Sequence, residues 1–135
     1  MSDAVTRLNP SSMPDAEAMG YSQISITEPG RLAFVSGQVA WTPEGQDAPN
    51  DLAAQAKIVF ENASAALREL GATTHDLAIV RIFITDLTSE RLEILMPLFA
   101  HWCDGAKPSV TGVGVAALAG EALQIEMEMT VRLPS

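Results

Sequence analysis

Apolar and polar positions along the chain change period several times, and each change predicts an element. Between Asn50 and Gly71 the apolar residues Leu52, Ala56, Val59, Phe60, Ala63, Leu67 and Leu70 recur about every 3.6 positions, which predicts a helix capped by Asn50 or Asp51 and stopped by Gly71. Leu77 to Thr85 reads LAIVRIFIT, β-branched and apolar on both faces except at Arg81, as an interior strand should be. A second helix is expected from Thr88 or Ser89 to Trp102, with Pro97 removing one backbone hydrogen bond and bending it or starting a fresh turn. Two strands follow, Val110–Val115 and Leu123–Leu133. The second alternates, with Ile125, Met127, Met129 and Val131 on one face and Gln124, Glu126, Glu128 and Thr130 on the other.

Nearer the start, Tyr21–Thr27 and the apolar run Leu32–Val39 flank the turn signal Glu28-Pro29-Gly30, which predicts a hairpin. Trp41–Asn50 is polar and holds two prolines and Gly45, so it reads as a surface loop. Residues 1–18 show no periodicity and read as a loose arm before a single domain over 19–135. The resulting order, β-β-α-β-α-β-β, is α+β, with two helices on one face of a single sheet. The strand at 77–85 then presents a second apolar face that needs a cover, and another copy of the chain is the economical one.

Composition narrows the function classes. The 135 residues suit one domain, and 47% hydrophobic against 19% charged suffices for one core. Eight Lys and Arg against 17 Asp and Glu give a net charge of −9, which repels a phosphate backbone and argues against a nucleic-acid partner. The longest charge-free stretch, Pro108–Gly120, has 13 residues, short of the roughly 18 that a membrane span needs. Cys103 is the only cysteine, so an intrachain disulfide and a thiolate zinc site are both excluded. With an N-terminal sequence unlike an export leader, a cytoplasmic protein is expected.

Candidate chemistry is sparse. Glu126 and Glu128 put two carboxylates on one strand face roughly 7 Å apart, suited either to acid–base work on a water or simply to a solvated face. Thr111-Gly112-Val113-Gly114-Val115 places two glycines on one face, open to a ligand or to close packing against a neighbour. His101 and Cys103 do not share a helix face and His75 sits in a turn, so no metal site is expected. No Gly-x-Ser-x-Gly elbow is present.

Several segments taken together resemble the RidA family, also called the YjgF family, of reactive-intermediate deaminases. They are Gly20-Tyr21, Ser36-Gly37-Gln38, Asp51–Ala56, Ile79-Val80 with Asp86-Leu87, Pro108, and Ile125-Glu126-Met127-Glu128, spanning about Met19 to Leu133. The resemblance implies a chorismate-mutase-like fold, a homotrimer whose sheets form a central barrel, and clefts between subunits that bind small metabolites. It also implies hydrolysis of 2-imines and 2-enamines to keto acids and ammonia, without metal or cofactor. By the same resemblance Glu126 and the Gly37 carbonyl would handle the attacking water, while Tyr21, Ser36, Glu93, Thr111 and Gly112 would line the substrate site. The family's carboxylate-binding arginine falls at Val110, which offers no charge. Two functions are therefore expected in competition: a Rid-type hydrolase with a non-standard substrate, and a trimeric small-metabolite-binding protein without turnover.

Overall fold

The structure, a computed structural model, describes residues 4–134. Its strands are β1 (Val5–Leu8), β2 (Ile24–Thr27), β3 (Leu32–Gln38), β4 (Leu77–Thr85), β5 (Ser109–Val115) and β6 (Ile125–Arg132), and its helices are α1 (Leu52–Glu69) and α2 (Ser89–Cys103). Four strands form the main sheet in the order β3-β6-β4-β5, with β4 and β5 parallel and the other pairs antiparallel. Both helices start on side-chain caps. The Asp51 carboxylate accepts from the Ala54 N–H at 3.0 Å and the Thr88 hydroxyl from the Arg91 N–H at 3.1 Å. Beyond the end of α1, Gly71 takes φ +66°, the left-handed turn expected of it. Instead of restarting at Pro97, α2 runs as one helix through it. Only the N–H that proline lacks is missing from the ladder.

The core lies between the helices and one face of the sheet. Val80, Ile82 and Ile84 of β4 and Met127, Met129 and Val131 of β6 are buried against Val59, Phe60 and Ala63 of α1 and Leu95 and Phe99 of α2. Trp102 stacks on Phe60 with centroids 5.4 Å apart and donates its indole N–H to the Ser64 hydroxyl at 2.9 Å. Among the described residues no helix covers the opposite face. Phe34 there is 76% exposed and Leu32 and Val113 are exposed too, around an Arg81–Glu128 ion pair of 3.4 Å. An exposed apolar surface of this kind marks a place for a partner.

Two expectations about the N-terminal region are corrected. Residues 5–8 form a strand antiparallel to β2, and this pair makes a sheet of its own, so neither the loose arm nor the β2–β3 hairpin forms. Side-chain hydrogen bonding is the physical reason. Arg7 donates to the Leu77 carbonyl at 2.6 Å, to the Ser25 hydroxyl at 2.7 Å and to the Ala106 carbonyl at 3.3 Å. The Ser22 N–H donates to the Pro108 carbonyl at 3.1 Å, and the Ser25 and Ser109 hydroxyls lie 2.7 Å apart, which seats the small sheet at the start of β4 and β5. β3 pairs instead with β6, from Leu32 opposite Arg132 to Gln38 opposite Met127. Among the described residues no helix is long and apolar enough to cross a membrane.

One buried amide ties the loops to α1. Gln55 is fully buried, and its NH2 donates to the Pro49 carbonyl at 2.7 Å and the Ala122 carbonyl at 2.8 Å, while its oxygen accepts from the Gln124 N–H at 2.9 Å. Gln55→Leu leaves these three backbone groups without a partner and is expected to lower stability by roughly 2–4 kcal/mol, read from the urea midpoint. An unchanged midpoint would show that the three bonds contribute nothing net.

Candidate functional site

The local fold around Gly37 is set by a β-bulge. Val35 pairs with Met129 and Gln38 with Met127, so Ser36 and Gly37 together oppose the single residue Glu128. The bulge brings Gly37 against Glu126. A Cβ on Gly37 would lie 2.6 Å from Oε2 of Glu126 and 2.5 Å from its Cδ, so the carboxylate occupies the space that any other residue's side chain would fill. Gly37 and Glu126 line a hollow of about 280 Å³ at the β3 edge, with Gln38, Val39, Trp41, Asn62 and Ala119. Asn62 of α1 donates to the Val39 carbonyl at 3.1 Å and the Trp41 carbonyl at 2.8 Å, fixing the chain just after the bulge. A half-buried carboxylate held against backbone in an open hollow can accept a proton from a water.

A second cavity, of about 260 Å³, lies at the other edge of the sheet between α2 and the β4–β5 pair. Tyr21, Val110 and Gly112 line it together with residues the sequence did not single out, chiefly Ile82, Ile84, Leu92 and Met96. Met96 and Leu92 are ordinary apolar positions of an amphipathic helix, and nothing in the sequence distinguishes a cavity wall from a core contact there.

Within one chain the expected site residues therefore form two groups that do not meet. Val110 is in register with Val80 on the helix-covered face, whereas Glu126 is in register with the partly exposed Phe83 on the other face. The β4 strand separates β6 from β5, which puts the two residues roughly 10 Å apart laterally as well. Thr111 and Gly112, expected on one pocket wall, point to opposite faces. Thr111 pairs with Arg81 on the open side and Gly112 with Ile82 on the helix side. Ser36 is exposed in the bulge, and Glu93 is exposed on α2 outside either cavity. Glu128 is engaged by Arg81 rather than paired with Glu126 in a dyad.

The nucleophile-bearing residue Cys103 belongs to neither cavity. It is buried in the core, and burial pushes its thiol up to about 12, with the Arg7 guanidinium opposing the shift. Burial likewise lowers Arg7, against the attraction of Cys103 and Asp76. Among the described residues no three His, Cys, Asp or Glu side chains gather as metal ligands.

Comparison with known proteins bears on this arrangement. The family model described as Endoribonuclease L-PSP matches residues 11–133. A RutC family protein of Pyrococcus abyssi is 33% identical over 100 residues, covering 73% of this chain and 76% of that one. Among solved structures, YyfB of Yersinia pestis, a Rid family protein of unknown function, superposes with a TM-score of 0.92 at 31% identity, covering 96% of this chain and 99% of the other. Escherichia coli TdcF, crystallised with bound serine, superposes with a TM-score of 0.68 at 26% identity over 83% of this chain and 87% of its own. With two helices on a mixed sheet and these neighbours, the chain has the chorismate-mutase-like α+β fold.

The Cys103 thiol supplies a test of the core around it. With its pKa pushed up to about 12, it stays protonated in the native protein well above pH 9, while the unfolded chain ionises near its ordinary value. The native state then holds the extra proton, so this group's contribution to stability is full below about pH 8.5 and falls as pH rises toward 12. Alkylation by iodoacetamide at pH 8.5 is expected to be negligible in buffer and rapid in urea. Fast labelling of the folded protein would contradict the burial.

Proposed function

The chain belongs to the Endoribonuclease L-PSP family, the YjgF/RidA family, and on that premise we propose that it is a Rid-type hydrolase that deaminates a reactive imine or enamine at a cleft between subunits of a homotrimer. The observation that carries this reading is the contact between the Glu126 carboxylate and the Gly37 backbone. In the proposed reaction a water held by the Gly37 carbonyl and Glu126 gives a proton to Glu126 as its oxygen attacks the C=N carbon. The aminol nitrogen takes that proton, the aminol hydroxyl then passes its own proton through Glu126 to the nitrogen as the C–N bond breaks, and a carbonyl compound and ammonia leave; an enamine enters this path after tautomerising to the imine. A relative, TdcF, is described as a candidate reactive intermediate deaminase and is 34% identical over 58 residues, 43% of this chain. Neither metal nor cofactor enters this chemistry.

The intersubunit cleft answers two observations at once. The apolar face bearing Phe34 needs a cover, and the water-handling pair and the Tyr21–Val110–Gly112 cavity lie apart within one chain. A second reading, a trimeric metabolite-binding protein without turnover, is favoured by Val110, because the cavity it lines holds no cation for a substrate carboxylate. A ribonuclease activity, which the family description names, is opposed by the net charge of −9. The cytoplasm suits the proposed metabolite chemistry.

Light scattering on a sizing column is expected to give three times 14.3 kDa, and Phe34→Glu, which puts a charge on the uncovered face, is expected to give a smaller species. A monomeric wild-type mass removes the intersubunit cleft. Turnover is tested on imines released in situ by a pyridoxal-phosphate enzyme and spanning several side chains and charges. Glu126→Gln is expected to lower the rate by about 100-fold or more with little change in binding, since an amide does not accept the proton. An unchanged rate would remove Glu126 from the water-handling role, and no turnover of any imine by the wild type moves the assignment to the binding protein.

A further inference from the structure

We propose that the cavity between α2 and the β4–β5 edge selects an uncharged ligand whose apolar body is about the size of an aromatic ring, with no carboxylate at its Val110 end. The proposal rests on the hydrolase reading only in taking this ligand to be the substrate. Of the ten residues lining the cavity none is charged, and Tyr21 is the one that carries a polar side-chain group. Val110 and Gly112 form its β5 side, and a Cβ built on Gly112 meets nothing within 4 Å, so the glycine leaves the space open rather than serving a tight contact. A volume of about 260 Å³ exceeds the roughly 150 Å³ that holds benzene in an apolar protein cavity, leaving room for a ring and a short polar substituent.

Among the described residues no cation lines the cavity to replace the missing one. Arg31 lines a different hollow, with Gly30, Leu70 and Arg132. Arg81 lies on the opposite sheet face, paired with Glu128 at 3.4 Å. Arg91 neighbours the cavity-lining Leu92, but its guanidinium donates to the Thr85 carbonyl at 3.2 Å and to Gln124 Oε1 at 3.0 Å. A carboxylate entering the cavity would lose its water and keep its charge with at most the Tyr21 hydroxyl to donate to it, whereas a neutral amide or imine is served by the same hydroxyl and needs no counter-charge.

Phenylacetamide and phenylacetate share a ring and differ in charge, so isothermal titration of each into the full chain at neutral pH, with methyl NMR at Ile82, Ile84 and Leu95, reads the selection directly. The amide is expected to bind about tenfold tighter or more. Val110→Arg is expected to reverse the preference. Gly112→Val, which fills open space, is expected to weaken amide binding about tenfold; it keeps the test decisive if Val110→Arg does not fold. Equal or tighter binding of phenylacetate overturns the proposal. So does the absence of amide binding, which is the outcome if a second copy's side chain fills the cavity, and so do methyl shifts confined to other sites. Amide-selective binding without turnover of any imine removes the hydrolase reading and leaves the pocket. Turnover of carboxylate-bearing imines without amide preference removes the pocket's selectivity and leaves the hydrolase.

Discussion

A four-stranded sheet has two faces, and this chain has helices for only one of them. That asymmetry shapes both the core and the candidate site. Val80, Ile82 and Ile84 of β4 and the methionines of β6 are buried under α1 and α2, while on the other face Ile79 and Phe83 of β4 are only partly buried and Phe34 of β3 is exposed. Burying apolar area is the dominant favourable term in both folding and association. The same one-sidedness divides the chemistry. Side chains alternate along each strand, so a residue paired with buried Ile82 faces the cavity under α2 and its neighbour faces the open side.

The divided site explains why a single chain looks inert. Glu126 has the Gly37 backbone at hand in a hollow with Val39, Trp41 and Ala119, apart from the cavity of Tyr21, Val110 and Gly112, which has no acid. Stacking copies around the open faces is a physical way to supply each half with the other. It also gives the substitution at Val110 a local consequence. On the proposed reading, Val110, at the position where the family resemblance puts an arginine, forgoes a charge-assisted bidentate pair worth roughly 1.5–3 kcal/mol and presents apolar surface instead. Binding energy is redirected from charge to shape.

How far the sequence could be read depended on whether a pattern was local. The caps at Asp51 and Thr88, the Gly71 stop, the β4 run and the alternation of β6 are each written in a few neighbouring residues, and all were legible. The pairing of β3 with β6 rather than β2 was not, because a Glu-Pro-Gly turn allows a hairpin without requiring one. Nor was β1, whose anchoring depends on Arg7 reaching carbonyls 70 and 99 residues along the chain. At the candidate site, the family resemblance pointed to Gly37 and Glu126, which share one hollow, and to Tyr21 and Val110, which share another, but the bulge that opposes Ser36 and Gly37 to one residue of β6 leaves no mark in a single sequence. Glu93 lies outside both cavities of its own chain by helical phase. Its neighbours Leu92, Leu95 and Met96 turn toward the cavity and it turns away.

The central claim is that the water-handling pair of one chain works with the apolar cavity of another. Subunit complementation tests it most directly. Chains carrying Glu126→Gln and chains carrying Gly112→Val are each impaired in a different half of the cleft, and co-refolding them generates mixed oligomers in which some clefts join an intact Glu126 to an intact cavity. Recovery of imine turnover in the mixture, well above the sum of the two separate variants, is the result expected. Activity no greater than that sum, from oligomers shown by native mass spectrometry to be mixed, would contradict a site shared between chains.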